Sequence, residues 1–258
     1  MRCLLFLSAL LIFTGAQAQS PSSLSSVTIE LDAGQSLPLA SKIRYELVSS
    51  NAKKVAQELQ GWKSIGVSQV DDKSLLITMT EQPHSSCDLR DQYSKTSFVI
   101  DLEEESTKRF VAGFTKGSNQ PWALEELTEY VHSYIKNTTY VHGFNIASVV
   151  AAQRAGDCTE YAVLATALAR SSNLPSRVVI GTVIIEGKDQ VAAFGHAWAE
   201  VWHKGQWKIV DAALYGSTAV KHFYLPAAEL EKEGPGFTMS LLKAVTLMPT
   251  KIKRLRDF

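Results

Sequence analysis

The sequence predicts an α+β protein in which a smaller, strand-rich N-terminal segment precedes a larger core of helices and antiparallel strands. Three observations predict it. Short apolar/polar alternations recur early, at 27–31, 43–48 and 75–80. A long apolar helical pattern follows Asp157. Beyond it, Val- and Ile-rich strands lead into a hairpin about Lys204-Gly205.

The chain opens as an export signal. Arg2 precedes an apolar run over residues 3–13, and Ala16-Gln17-Ala18 is a small-x-small cleavage pattern, so residues 1–18 are expected to be removed. The run is shorter than the ~20 apolar residues that a membrane span needs. No second long apolar run follows, so the mature chain is expected to have no transmembrane segment and to be periplasmic or secreted. Its acidic and basic residues nearly balance, which argues against nucleic-acid binding. Of the three cysteines, Cys3 leaves with the leader. Cys87 and Cys158 remain, and an exported chain offers them a disulfide on counting alone, a reading that the neighbourhood of Cys158 argues against.

Residues 19–118 read as a mixed N-terminal segment. Residues 51–59 form a short helix with Asn51 as its cap, and 98–102 and 109–114 are expected as further strands. Glu103-Glu104-Glu105 reads as a solvated turn. His84 and Cys87 are two metal-ligand types where a zinc site wants three or four, so no metal or cofactor is expected. Gly117 to Pro121 reads as a linker into a helix, with Pro121 suited to the first turn and Leu124, Leu127, Val131, Tyr134 and Ile135 at helical spacing. A second helix is expected over 146–154, capped by Asn145. Asn137-Thr138-Thr139 is a formal glycosylation sequon.

Gly156-Asp157-Cys158-Thr159-Glu160 opens the most distinctive stretch. Asp157 and Glu160 have capping-box spacing, and Tyr161, Leu164, Ala165 and Leu168 form one apolar face of a nearly buried helix that ends at Asn173-Leu174-Pro175. Cys158 then lies in the first turn, where free N–H groups and the helix dipole are expected to lower a thiol's pKa. Residues 177–185 follow as a buried strand. If Lys204-Gly205 is a two-residue loop, His203 pairs with Gln206 and Asp211 falls opposite Trp198. His196 shares the Trp198 face and is diagonal to Asp211, at a Cβ spacing of ~7–8 Å or slightly less. A nucleophile, a base and an orienting carboxylate thus occur in the order Cys158, His196, Asp211, the grouping that cysteine hydrolysis requires.

Gly156 to Glu160, then Leu174-Pro175-Ser176-Arg177, then Gly195-His196-Ala197-Trp198-Ala199-Glu200, and finally Trp207 to Asp211 resemble the transglutaminase-like superfamily. The resemblance covers residues 124–215. It implies a papain-like α+β core over 119–235, a cysteine helix packed on an antiparallel sheet, and Cys158, His196 and Asp211 in the catalytic positions. Ala212 stands where many members have Pro. Trp122, Tyr140 and Gln153 are candidates for the oxyanion-hole side chain, and Trp198 for the cleft wall or the core. The expected activity is thiol-dependent hydrolysis of peptide or isopeptide amides through an acyl-enzyme. Acyl transfer to an amine, or a silent peptide-binding module, are the alternatives. Residues 236–258 read as a tail with a short helix about 241–248 and a solvated basic end.

Overall fold

The computed structural model describes residues 24, 29–31, 41–62, 64–68, 70–81, 85, 88–117, 123–139, 144–187, 191–217 and 220–255. The leader, His84, Cys87, Pro121, Trp122 and Tyr140 lie outside them.

The N-terminal part contains β1 (Glu30–Leu31), β2 (Lys42–Val48), α1 (Ala52–Leu59), β3 (Gly66–Ser68) and β4 (Ser74–Thr80). In β2 the alternation has its expected effect, burying Ile43, Tyr45 and Leu47 while Arg44 and Glu46 are partly exposed. Asn51 does precede α1, but its amide donates to the Thr246 carbonyl rather than capping the helix.

Next comes α2 (Glu105–Gly117), where 109–114 was expected as a strand. The helical period wins because it buries Thr107, Phe110 and Phe114 together, at i, i+3 and i+7. The Phe110 ring packs on Tyr130 and Tyr134 at 5.3 and 4.6 Å. Residues 98–102 are turns and bends rather than strand, with Val99 and Ile100 buried. Glu105 opens α2, so the acidic run is a turn only in part.

Helix α3 (Leu124–Tyr134) starts after Ala123, past the proline expected in its first turn. Strand β5 (Asn137–Thr138) then leads to α4 (Ala147–Gln153), whose N-cap is Ile146 rather than Asn145. Short β6 (Ala155–Gly156) pairs in parallel with β5 and delivers the chain to α5 (Cys158–Ser171). Every side chain of α5 from Cys158 to Arg170 is buried. Burying Tyr161, Leu164 and Leu168 stabilises the fold by ~1.5–3 kcal/mol each. Where the helix ends, Arg170 donates to the Ser176 carbonyl at 2.8 Å and to Glu233 at 2.6 Å.

The second sheet comprises β7 (Ser176–Glu186), β8 (Val191–His203), β9 (Gln206–Val210) and β10 (Lys221–Glu229), all antiparallel in the order β10-β7-β8-β9. Helix α5 packs on β7 and β8. The β8–β9 register is the expected one: His203 pairs with Gln206 and Ala199 with Val210. Lys204 and Gly205 have φ of 51° and 81°, the positive pair that a type I′ hairpin turn needs.

After α6 (Thr238–Leu247) the residues expected to begin a solvated basic end take another form. Residues Lys251–Arg254 form β11, antiparallel to β2 and parallel to β1, in a five-stranded sheet ordered β1-β11-β2-β4-β3. Ile252 is buried there, while Lys251 and Lys253 pair with Glu30 and Glu46.

Candidate active site

The capping box is formed as the sequence predicts. Asp157 Oδ1 accepts from the Thr159 N–H at 3.0 Å, and Glu160 Oε2 accepts from the Asp157 N–H at 2.9 Å. These bonds fix the first turn of α5 and Cys158 within it. Glu160 also accepts from the Asn145 N–H at 2.9 Å, which ties the segment before α4 to the cysteine helix. Burial raises the Glu160 carboxyl to about 7, against the lowering effect of those backbone donors.

His196 is brought to Asp211 by the hairpin. Its Nε2 and Asp211 Oδ2 are 2.9 Å apart, and both side chains are almost wholly buried. A carboxylate only accepts, so Nε2 carries the proton. Asp211 is itself held by three further donors: Ala213 N–H at 3.0 Å, Leu214 N–H at 3.2 Å and the Tyr224 hydroxyl at 2.8 Å. The Nδ1 of His196 makes no hydrogen bond of ordinary geometry. The Cys158 thiol and the His196 ring act on one another electrostatically.

The electrostatics depart from expectation at the thiol. Cys158 is a free cysteine, but it is buried, at 7% exposure. Burial pushes its pKa up, and the nearby Asp157 charge adds to the rise; the His196 contact and the Ala197 backbone N–H oppose it. Desolvation therefore outweighs the helix-terminus effect that predicted a lowered value. His196 moves the other way from an ordinary buried histidine. Burial disfavours its charge, yet the Asp211 carboxylate and the hydrogen bond to it, with a contribution from Cys158, raise it to about 10. Asp211 stays low because the His196 charge and its donors overcome its own burial.

The sequence thus put Cys158, His196 and Asp211 where the structure brings them together. Trp198 belongs to the core side of the site, 1% exposed, with its ring 6.3 Å from His196 and 5.1 Å from Tyr224. Among the oxyanion candidates, Gln153 is exposed at the end of α4. Sequence reasoning missed Tyr224, His222 and His132. The first two alternate on β10, and the His222 and Tyr224 rings are 6.4 Å apart. His132 Nδ1 donates to the Ala212 carbonyl at 2.8 Å and so anchors the backbone just after Asp211. That contact fixes the exit where the superfamily often has a proline.

Residues 108–212 match the family model of the transglutaminase-like superfamily. A comparison with curated proteins gives no match. Among solved structures, a candidate cysteine protease from Cytophaga hutchinsonii is 14% identical with a TM-score of 0.41, over 72% of this chain and 76% of that one. The periplasmic domain of TgpA from Pseudomonas aeruginosa, bound to ethylmercury, is also 14% identical with a TM-score of 0.41, over 69% of this chain and 77% of that one. A TGase is 13% identical with a TM-score of 0.30, over 74% of this chain and 56% of that one.

Proposed function

From the match of residues 108–212 to the transglutaminase-like superfamily, we propose that the protein is an exported, thiol-dependent hydrolase of peptide or isopeptide amides. Cys158 is the nucleophile, His196 the general acid–base and Asp211 its orienting carboxylate. One observation carries the reading: a free thiol in the first turn of a helix meets an imidazole whose far nitrogen is bonded to a buried carboxylate at 2.9 Å. Export rests on the leader pattern of residues 1–18, and no helix among the described residues is long and apolar enough to cross a membrane.

The chemistry follows from the proton inventory. His196 at about 10 and a thiol raised by burial mean that the substrate-free pair holds two protons at neutral pH. The working form has one fewer, with a thiolate beside an imidazolium, and the values belong to the pair rather than to either residue. Sulfur attacks the amide carbon and forms a tetrahedral oxyanion, for which the Cys158 N–H at the helix terminus is a donor. His196 then gives its proton to the leaving amine as the C–N bond breaks. The thioester left on Cys158 is cleaved by water, whose proton His196 takes up as the sulfur departs, so the acid is released and the thiolate–imidazolium pair is restored.

The test is alkylation of Cys158 with iodoacetamide, read by peptide mass, over pH 6–10.5. For the native protein we expect labelling to rise on the alkaline side of neutrality. In His196→Ala, which removes the group that opposes the thiol's rise, labelling should be slower at every pH below the midpoint. Amide hydrolysis should depend on Cys158 and vanish in Cys158→Ala. Equal labelling of native and His196→Ala proteins would remove the basis of the triad.

A further inference from the structure

A feature of the site that cysteine-hydrolase chemistry does not demand is the phenol on β10. Tyr224 lies beside β7 on the sheet edge opposite β9, yet its hydroxyl donates to Asp211 Oδ2 at 2.8 Å. That oxygen is the one His196 Nε2 already engages at 2.9 Å. Two donors therefore share one carboxylate oxygen, while Oδ1 takes the two backbone N–H groups.

The backbone is shaped for this reach. Along β10, Tyr224 pairs with Val183, Leu225 with Thr182 and Pro226 with Gly181, after which the register slips between Pro226 and Ala228. Gly181 is also the partner of His196 on the other side of β7. A Cβ on Gly181 would stand 2.2 Å from the Leu225 carbonyl oxygen and 2.9 Å from the Pro226 Cα. The bulged backbone of β10 thus occupies the space a side chain at 181 would need, and a bulge of this kind re-aims its neighbours. The Tyr224 ring ends 6.4 Å from His196 and 5.1 Å from Trp198.

We propose that Tyr224 is a positioning residue of the triad: its phenolic proton fixes the Asp211 carboxylate and takes up part of the charge on Oδ2 that would otherwise act on His196 alone. Asp211 then orients the imidazole without holding its proton as tightly as a carboxylate free of Tyr224 would. Several titratable groups surround the pair. Cys158 and Asp157 stand at the start of α5, His222 and Tyr224 on β10, and Glu81 beyond β4 acts on His222. Among these, Tyr224 is the one that donates to Asp211.

The test is the NMR titration of the His196 ring in the full mature chain, native and Tyr224→Phe. Loss of the hydroxyl leaves more negative charge facing Nε2, so the His196 midpoint should rise by about half a unit or more. The alkaline limb of Cys158 alkylation should move with it. Val183→Ala, which loosens packing opposite Tyr224 without touching Asp211, serves as the structural control. An unmoved midpoint in a folded Tyr224→Phe protein, or an equal shift in Val183→Ala, overturns the proposal. If Tyr224→Phe does not fold, the phenolic proton is sought in the native protein as a slowly exchanging resonance close to the His196 ring. Its absence also overturns the proposal. The inference rests on the triad reading, but the two fail differently. An inert Cys158 with a shifted His196 sinks the triad, whereas a reactive Cys158 with an unmoved His196 sinks only the role of Tyr224.

Discussion

His196 binds its proton more tightly in the folded chain than in the unfolded one, which makes it a source of pH-dependent stability. Its folded value is about 10, raised by Asp211 against the cost of burial, while an unfolded histidine titrates near ~6.5. A raised pKa contributes stability that is complete below the unfolded value and is lost as pH climbs through the folded one. The Asp211 carboxyl is held low, and its contribution is lost instead as pH falls. The melting temperature of the native protein should therefore decline between about pH 6.5 and 10. In His196→Phe that decline should be shallower, and the raised Cys158 thiol and the Glu160 carboxyl at about 7 act in the same direction in what remains. Equal slopes for native and variant proteins would show that the His196–Asp211 bond is not coupled to folding. At this scale the sequence exposed the three residues whose chemistry is distinctive, since Cys158 stands at a helix start and His196 and Asp211 share a hairpin face. It did not expose the direction of the thiol's shift, because that depends on how completely the surrounding elements exclude water from Cys158. Tyr224 was invisible for a related reason: nothing local to β10 says that β10 pairs with β7.

Helix α5 carries two opposed effects at one residue. Asp157 stabilises the helix start by accepting from the Thr159 N–H and the Thr159 hydroxyl, but its negative charge also pushes the Cys158 thiol up. Asp157→Ala should cost about 0.5–2 kcal/mol, the usual penalty for losing an N-cap. The same change should move Cys158 alkylation to lower pH, provided Glu160 keeps the turn in place. Thermal melts and the alkylation profile check the two effects separately, and a variant that loses stability without any gain in thiol reactivity would argue that Asp157 acts only as a cap. The elements that could be read from the sequence are those with a local signal. The capping box announced α5, and a two-residue turn fixed the register of β8 and β9 to the residue. Residues 109–114 show where that signal fails. Phe110, Val111 and Phe114 suit a strand by composition, and the helix α2 is chosen by what Phe110 and Phe114 meet, the rings of Tyr130 and Tyr134 on α3. Residues 251–254 are a similar case. Three basic side chains read as a solvated end, and only the neighbouring β1 and β2 supply the acids and the ladder that make them a strand.

Across the whole molecule, the two sheets are joined by buried polar contacts rather than by a linker alone. Tyr45 of β2 donates to Glu186 of β7 at 2.6 Å, and Trp62, after α1, donates to Glu200 of β8 at 3.2 Å. Arg177 of β7 is the centre of this junction. It donates to Glu200 at 2.7 Å and to Ser85 at 2.7 Å, pairs with Glu229 of β10, and lies over the Trp207 ring at 4.6 Å. Burial opposes its charge, and Glu200 and Glu229 more than restore it. A buried ion pair is weak evidence of net stabilisation, but breaking one strands its partners. Arg177→Leu leaves the buried Glu200 without its cation and Glu229 with Arg90 alone, which should cost about 3–5 kcal/mol. For a chain of this size that corresponds to a fall in melting temperature on the order of 10 °C. Because Trp62, Tyr93 and Ser85 of the N-terminal half contact the same guanidinium, both halves should lose stability together. Calorimetry should then show one transition at a lower temperature in Arg177→Leu. If a second transition stayed at the native temperature, the strand-rich N-terminal sheet would be an independent unit that merely rests on the cysteine core.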